Sequence, residues 1–103
     1  MPHYHDAVIE ERAAAMDRLI RKYFDGCNEA DIDKMLSCFT PDAVHYFPPG
    51  MYEGPFRGAK TIAEKWCMAV NTFGSYWTVD RLLIEPLRYE AVMEWTHSVS
   101  YTL

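Results

Sequence analysis

The chain has 103 residues, half of them apolar and 15% aromatic, with fifteen acidic against ten basic side chains for a net charge of −5. That describes a single domain, 1–103, able to bury roughly two-thirds of the surface its unfolded form exposes and too apolar to stay disordered. No Lys/Arg cluster is present to hold a phosphate backbone, so nucleic acid is not an expected partner.

The start, MPHYHDAVIEERAAAMDR, mixes charges of both signs and lacks the uninterrupted apolar core of a signal peptide. No later segment approaches the ~20 apolar residues of a membrane span. Cys27, Cys38 and Cys67 are odd in number and have no CxxC spacing, so they read as buried free thiols in a reducing compartment, and the expected location is the cytoplasm. His3 and His5 flank Tyr4 in a way that could chelate a metal, but a solvated, frayed end is the simpler reading. No metal and no cofactor are expected.

In chain order, Asp6 is the expected N-cap of a first helix whose Ile9, Met16, Leu19, Ile20, Tyr23, Phe24 and Cys27 form one stripe, ended by Gly26 and Asn28. Asp31 then caps a shorter helix with Ile32, Met35, Leu36 and Phe39 at i, i+3, i+4 and i+7. The period changes inside FTPDAVHYFPPGMYEGPFRG: Ala43 to Phe47 is strand-like, Pro48-Pro49-Gly50 cuts it off, and Met51 to Phe56 is a second extended piece. A bent hairpin between helices is the simplest picture. Ile62, Trp66, Ala69, Val70 and Phe73 make a third amphipathic helix, with Gly74 placed to end it. Phe39 and Trp66 each complete a stripe and are expected to be core anchors.

From Ser75 to Ile84 the period is two, and the run stops before Pro86. Tyr89 to Leu103 is a second strand, with Ala91, Met93, Trp95, His97, Val99, Tyr101 and Leu103 on one face and Glu94, Thr96, Ser98, Ser100 and Thr102 on the other. The short Glu85-Pro86-Leu87-Arg88 link makes the two an antiparallel hairpin. The order predicts an α+β fold with three helices gathered on one face of a curved antiparallel sheet.

Three stretches carry a resemblance: Tyr23-Phe24-Asp25-Gly26-Cys27-Asn28-Glu29-Ala30-Asp31, Phe39-Thr40-Pro41-Asp42-Ala43-Val44 with Pro48-Pro49-Gly50, and Gly54-Pro55-Phe56-Arg57-Gly58 before a helix. Over roughly residues 8 to 97 the chain resembles the NTF2-like, SnoaL-like superfamily. The resemblance implies a cone-shaped α+β barrel with a mostly apolar pocket at its open end. Members of that group include ketosteroid isomerases, polyketide cyclases and dehydratases as well as binding and assembly domains, so the fold leaves the chemistry open.

Tyr23 matches the helix tyrosine that donates a hydrogen bond in the isomerases. Their carboxylate base, at the end of the first strand, corresponds to Phe47, which cannot take a proton. In the dehydratases the Asp after the first helix corresponds to Asn28, and their strand histidine to Trp77. Both known base positions therefore lack a base. Similar proteins also continue into two further strands, so the cone is expected to be incomplete and the final strand to present an open edge.

The candidate acid–base groups are His45, on the face of Phe47; His97, sharing a face with Met93 and Trp95; and Asp80, a mid-strand carboxylate that could instead pair with Arg81. Tyr23 joins them as hydrogen-bond donor. Phe24, Phe47, Trp66, Trp77 and Trp95 could line a pocket for a flat molecule, although in a small domain the default for any one of them is core. The expected function is to hold a small apolar or aromatic molecule, with isomerase-, cyclase- or dehydratase-type proton transfer. The alternative is a non-catalytic ligand-binding or assembly domain. A homodimer or higher oligomer is expected, joined around Trp95, Val99 and Tyr101.

Overall fold

The computed structural model describes residues 4–50 and 52–100, so His3, Met51, Tyr101 and Leu103 lie outside the described residues. Helix α1 spans Tyr4–Glu29, α2 Ile32–Leu36 and α3 Ala59–Phe73; strands are β1 Val44–His45, β2 Phe56–Arg57, β3 Ser75–Glu85 and β4 Glu90–Val99. Two antiparallel pairs, β1–β2 and β3–β4, carry the sheet structure.

The helices form where the periodicity predicts, but Leu19, Ile32 and Phe73 of their stripes are exposed and the ends of α1 differ. Asp6 sits in its first turn, where a carboxylate favours the positive end of the helix dipole, and does not precede it. At the other end the helix runs through Gly26 and Asn28. A Cβ on Gly26 would stand 3.0 Å from the Met35 Cγ, so this glycine is there to let α2 pack closely. Ala30 ends the helix instead, at φ 52, with Asp31 N–H donating to the Gly26 carbonyl at 2.9 Å and Ala30 N–H to the Cys27 carbonyl at 3.1 Å. That is a Schellman closure with alanine in the position usually given to glycine.

Asp31 caps α2 as its position predicts, its carboxylate accepting from the Lys34 N–H at 3.0 Å. The helix stops at Leu36, and Phe39 follows in a turn, half-buried against Tyr23 at 4.8 Å between ring centroids. Gly74, at φ 65, closes α3 through its N–H to the Val70 carbonyl. The first hairpin is shorter than its apolar run, pairing only Val44 with Arg57 and His45 with Phe56. Pro48, Pro49 and Pro55 have no N–H to extend the ladder.

Strand β4 ends at Val99 and starts after Tyr89, which takes φ 53 in the turn. The larger departure is a bulge. Register runs Ser75 to Val99, Trp77 to His97 and Val79 to Trp95, then resumes at Arg81 to Glu94 and Leu82 to Met93, leaving Asp80 as the extra residue. Strict alternation along β3 would turn Leu82 and Ile84 away from Trp77; the bulge keeps Ser75, Trp77, Val79, Leu82 and Ile84 on the face shared with Ala91, Met93 and His97.

That face packs on α1, while α2 and α3 close over its first half. Phe24, Cys27, Met35, Ala63, Cys67 and Trp77 form the core, with Met35 and Ile62 the largest fully buried side chains. Phe39 and Trp66, the expected anchors, are half-buried at its edge. The molecule is long, 57 × 27 × 26 Å, with a radius of gyration of 15.6 Å against the ~13 Å usual for a compact chain of this length. Among the described residues no helix is long and apolar enough to cross a membrane.

Candidate functional site

Five of the aromatic and histidine candidates form a continuous chain across the first half of the sheet. His97 stacks on Trp77 (centroids 5.0 Å apart, planes 9°), Trp77 meets Trp66 edge-on at 5.7 Å, Trp66 meets His45 at 5.3 Å, and His45 stacks on Phe47 at 4.4 Å. These contacts join β4, β3, α3 and β1. Phe56 and Tyr52 extend the cluster beyond Phe47, at 4.6 and 4.4 Å from it.

Tyr23 faces this chain from α1. Burial and the neighbouring Cys27 sulfur push its phenol well above the ordinary tyrosine range, with the Trp66 indole acting weakly the other way. Its proton therefore stays on, and Tyr23 is a donor at any ordinary pH. The Trp66 Nε1–H beside it is itself buried; it leans on the Tyr23 oxygen but makes no well-formed hydrogen bond among the described residues. Burial pushes the Cys27 thiol up to about 12 and raises Cys67 as well, which makes them inert, as buried free thiols should be. Cys38 is only half-buried.

His45 is half-buried between Phe47 and Trp66, and loss of solvent lowers its pKa. It is thus neutral near pH 7, the form that accepts a proton. His97 is exposed, with Nε2 2.8 Å from the hydroxyl of Ser75, a buried residue absent from the sequence candidates. The signal that would have found it is the three-residue step from Val79 to Leu82, which marks the bulge and fixes which residues face His97.

Asp80 does not join the site. It lies exposed at the bulge and accepts a 2.5 Å hydrogen bond from the Thr96 hydroxyl, while Arg81 reaches Glu94 at 3.7 Å. Alternation with the inward Trp77 and Val79 already turns Asp80 outward, and the alternative pairing with Arg81 does not form, since Arg81 reaches Glu94. Trp95 is 50% exposed beyond the helices, and Phe24 is a core residue.

Asn28 and Trp77, which the resemblance matched to the Asp and His of the dehydratases, are in direct contact. The Asn28 amide donates to the Trp77 carbonyl at 2.8 Å and accepts from the Trp77 N–H at 2.7 Å. The fold brings the two positions together, but the side chain at one of them is spent on holding the backbone of the other. An aspartate there would set a carboxylate oxygen against a carbonyl oxygen.

A groove of about 240 Å³ lies along α3, between Tyr52 and Phe56 on one side and Trp66, Ala69 and Phe73 on the other, with Lys65 at its rim. A hollow of about 280 Å³ at the far end of β3–β4 touches none of the candidate groups. Among the described residues no three His, Cys, Asp or Glu gather as metal ligands would.

A family model for the SnoaL-like domain matches residues 20–102. No curated protein matches the chain. The crystal structure of a protein of unknown function with a cystatin-like fold from Methylobium petroleophilum PM1 is similar at 61% sequence identity and a TM-score of 0.81. The match covers 82% of this chain and 56% of that one, so the chain spans little more than half the length of that relative. With its helices packed on one face of antiparallel strands in the α+β arrangement of the NTF2-like cone, the chain belongs to the SnoaL-like domain family.

Proposed function

We propose that this chain holds a flat apolar molecule that carries an oxygen acceptor, and that the bound molecule is a substrate for proton transfer. The observation that supports this most is the buried Trp66 indole N–H, which leans on the Tyr23 oxygen but makes no well-formed hydrogen bond among the described residues, beside a phenol that stays protonated. Buried donors are normally paired, so an unpaired one in aromatic surroundings suits a ligand carbonyl. Tyr23 then stabilises the charge that develops on that oxygen, and His45 or His97 exchanges the proton, in an isomerase- or lyase-type reaction without cofactor.

Tryptophan fluorescence titrations with acetylnaphthalene and ethylnaphthalene test the acceptor. The ketone is expected to bind about tenfold more tightly, the worth of one good hydrogen bond, and Tyr23→Phe to reduce the difference. Equal affinities would remove the acceptor from the reading. Deuterium exchange into the ketone's α-position tests the chemistry: it is expected to lose its pH-dependent limb in His45→Gln or His97→Gln, and no exchange at all would leave a binding domain.

Assembly is the second reading, supported by Trp95 and Val99, 50% and 52% exposed on β4. Strand pairing or face packing between two copies would cover them. Sedimentation equilibrium at micromolar concentration is expected to give a dimer or larger, and a monomer would refute this.

A further inference from the structure

His97 is held from two directions. Its ring lies flat on Trp77, the residue directly across the ladder, and Nε2 meets the hydroxyl of Ser75, its diagonal neighbour on the same face. Ser75 is 3% exposed, whereas His97 is exposed. Two arrangements fit the 2.8 Å contact: the serine O–H donates to Nε2 and the neutral ring carries its proton on Nδ1, or Nε2–H donates to the serine oxygen.

In the second arrangement the serine proton has no acceptor among the described residues and almost no access to water. In the first the buried hydroxyl is satisfied, and Nδ1–H, which has no partner among the described residues, is left to water or a ligand. A buried polar group left unpaired costs more than an exposed one, so the first arrangement wins.

We infer that Ser75 is a positioning residue that fixes neutral His97 as its Nδ1–H tautomer, so that this end of the aromatic chain offers a ligand a hydrogen-bond donor. What the donor meets rests on the proposed ligand reading: a carbonyl or other oxygen acceptor is its complement. His97 then offers a hydrogen bond from Nδ1–H and keeps its proton, and His45, desolvated at the other end of the Trp66–Trp77 pair, is left as the proton acceptor.

Long-range proton–nitrogen correlation spectra at about pH 9, where imidazole is neutral, read the tautomer directly on the free protein. The wild-type chain is expected to show His97 mainly as Nδ1–H, and Ser75→Ala mainly as Nε2–H, the form histidine prefers in water. A wild-type spectrum dominated by Nε2–H overturns the inference, even if Ser75→Ala fails to fold. A folded Ser75→Ala that keeps Nδ1–H removes Ser75 as its cause. Failure of acetylnaphthalene to bind defeats the ligand reading alone, because the tautomer is measured without ligand.

Discussion

Ser75, Trp77 and Val79 in one half of β3 and Leu82 and Ile84 in the other point to the same face, but the two halves meet different surroundings. Trp77 is 8% exposed, while Leu82 and Ile84, on the same face toward the turn, are only half-buried. Over the first half α1 and α3 both pack on the strand and α2 packs on them, with the Asn28 amide clamped to the backbone at Trp77. Over the second half only α1 continues, tied at the turn by Arg12, whose guanidinium donates to the Pro86 carbonyl at 3.2 Å and lies 4.5 Å over the Tyr89 ring. Alternation creates a face that can be buried, and the number of elements that reach it decides how far it is. All the candidate groups with perturbed protonation lie at the covered half.

The contrast is sharpest at two tryptophans. Trp77→Ala is expected to cost about 3–5 kcal/mol, as large-to-small changes in a core do. Trp95→Ala, on the same face and half exposed, should cost less than about 1 kcal/mol. Denaturant midpoints measure both, and equal losses would mean that the helices cover this face as fully at β4 as at β3.

Asn28→Asp comes next, at about 2 kcal/mol, because it removes a donor from the Trp77 carbonyl and leaves that group unpaired. Amide hydrogen exchange should quicken at Trp77 and stay unchanged near Leu83. Faster exchange along the whole strand would mean that the hairpin opens as one unit and the halves are not separate.

The smallest effect is a pH slope. Burial lowers the His45 pKa in the folded chain, so as pH falls through about 6.5 the unfolded chain takes up the proton first. Stability is therefore full above that pH and declines below it, and His45→Phe should flatten this part of the profile. An unchanged slope in thermal melts between about pH 5.5 and 7.5 would place the titrating group elsewhere.

Helix periodicity, the Asp31 cap, the Gly74 stop and the prolines that limit the first hairpin were all legible in the sequence, because each depends on residues a few positions apart. The same short range let the family likeness be seen from three brief stretches. It also led to an early end for α1: Gly26 has the look of a terminator, yet its lack of a side chain serves Met35, which packs against it from the next helix. Site residues were legible in part. His45, Phe47, Trp66, Trp77 and His97 were identifiable as residue types on the right faces, and their contact in a single chain was not.

The sequence by itself determined which faces are apolar, where the chain turns and which family it belongs to. Only the tertiary structure decided that Asp80 is an extra residue in the ladder, that Ser75 meets His97, and that Asn28 holds the backbone of Trp77. Those last two pairs are 22 and 49 positions apart. Each depends on strand register, and a shift of one residue moves every side chain to the opposite face. Side-chain alternation fixes the two faces of each strand, but the register that matches them across the hairpin is set by the bulge and by the helices packed against it.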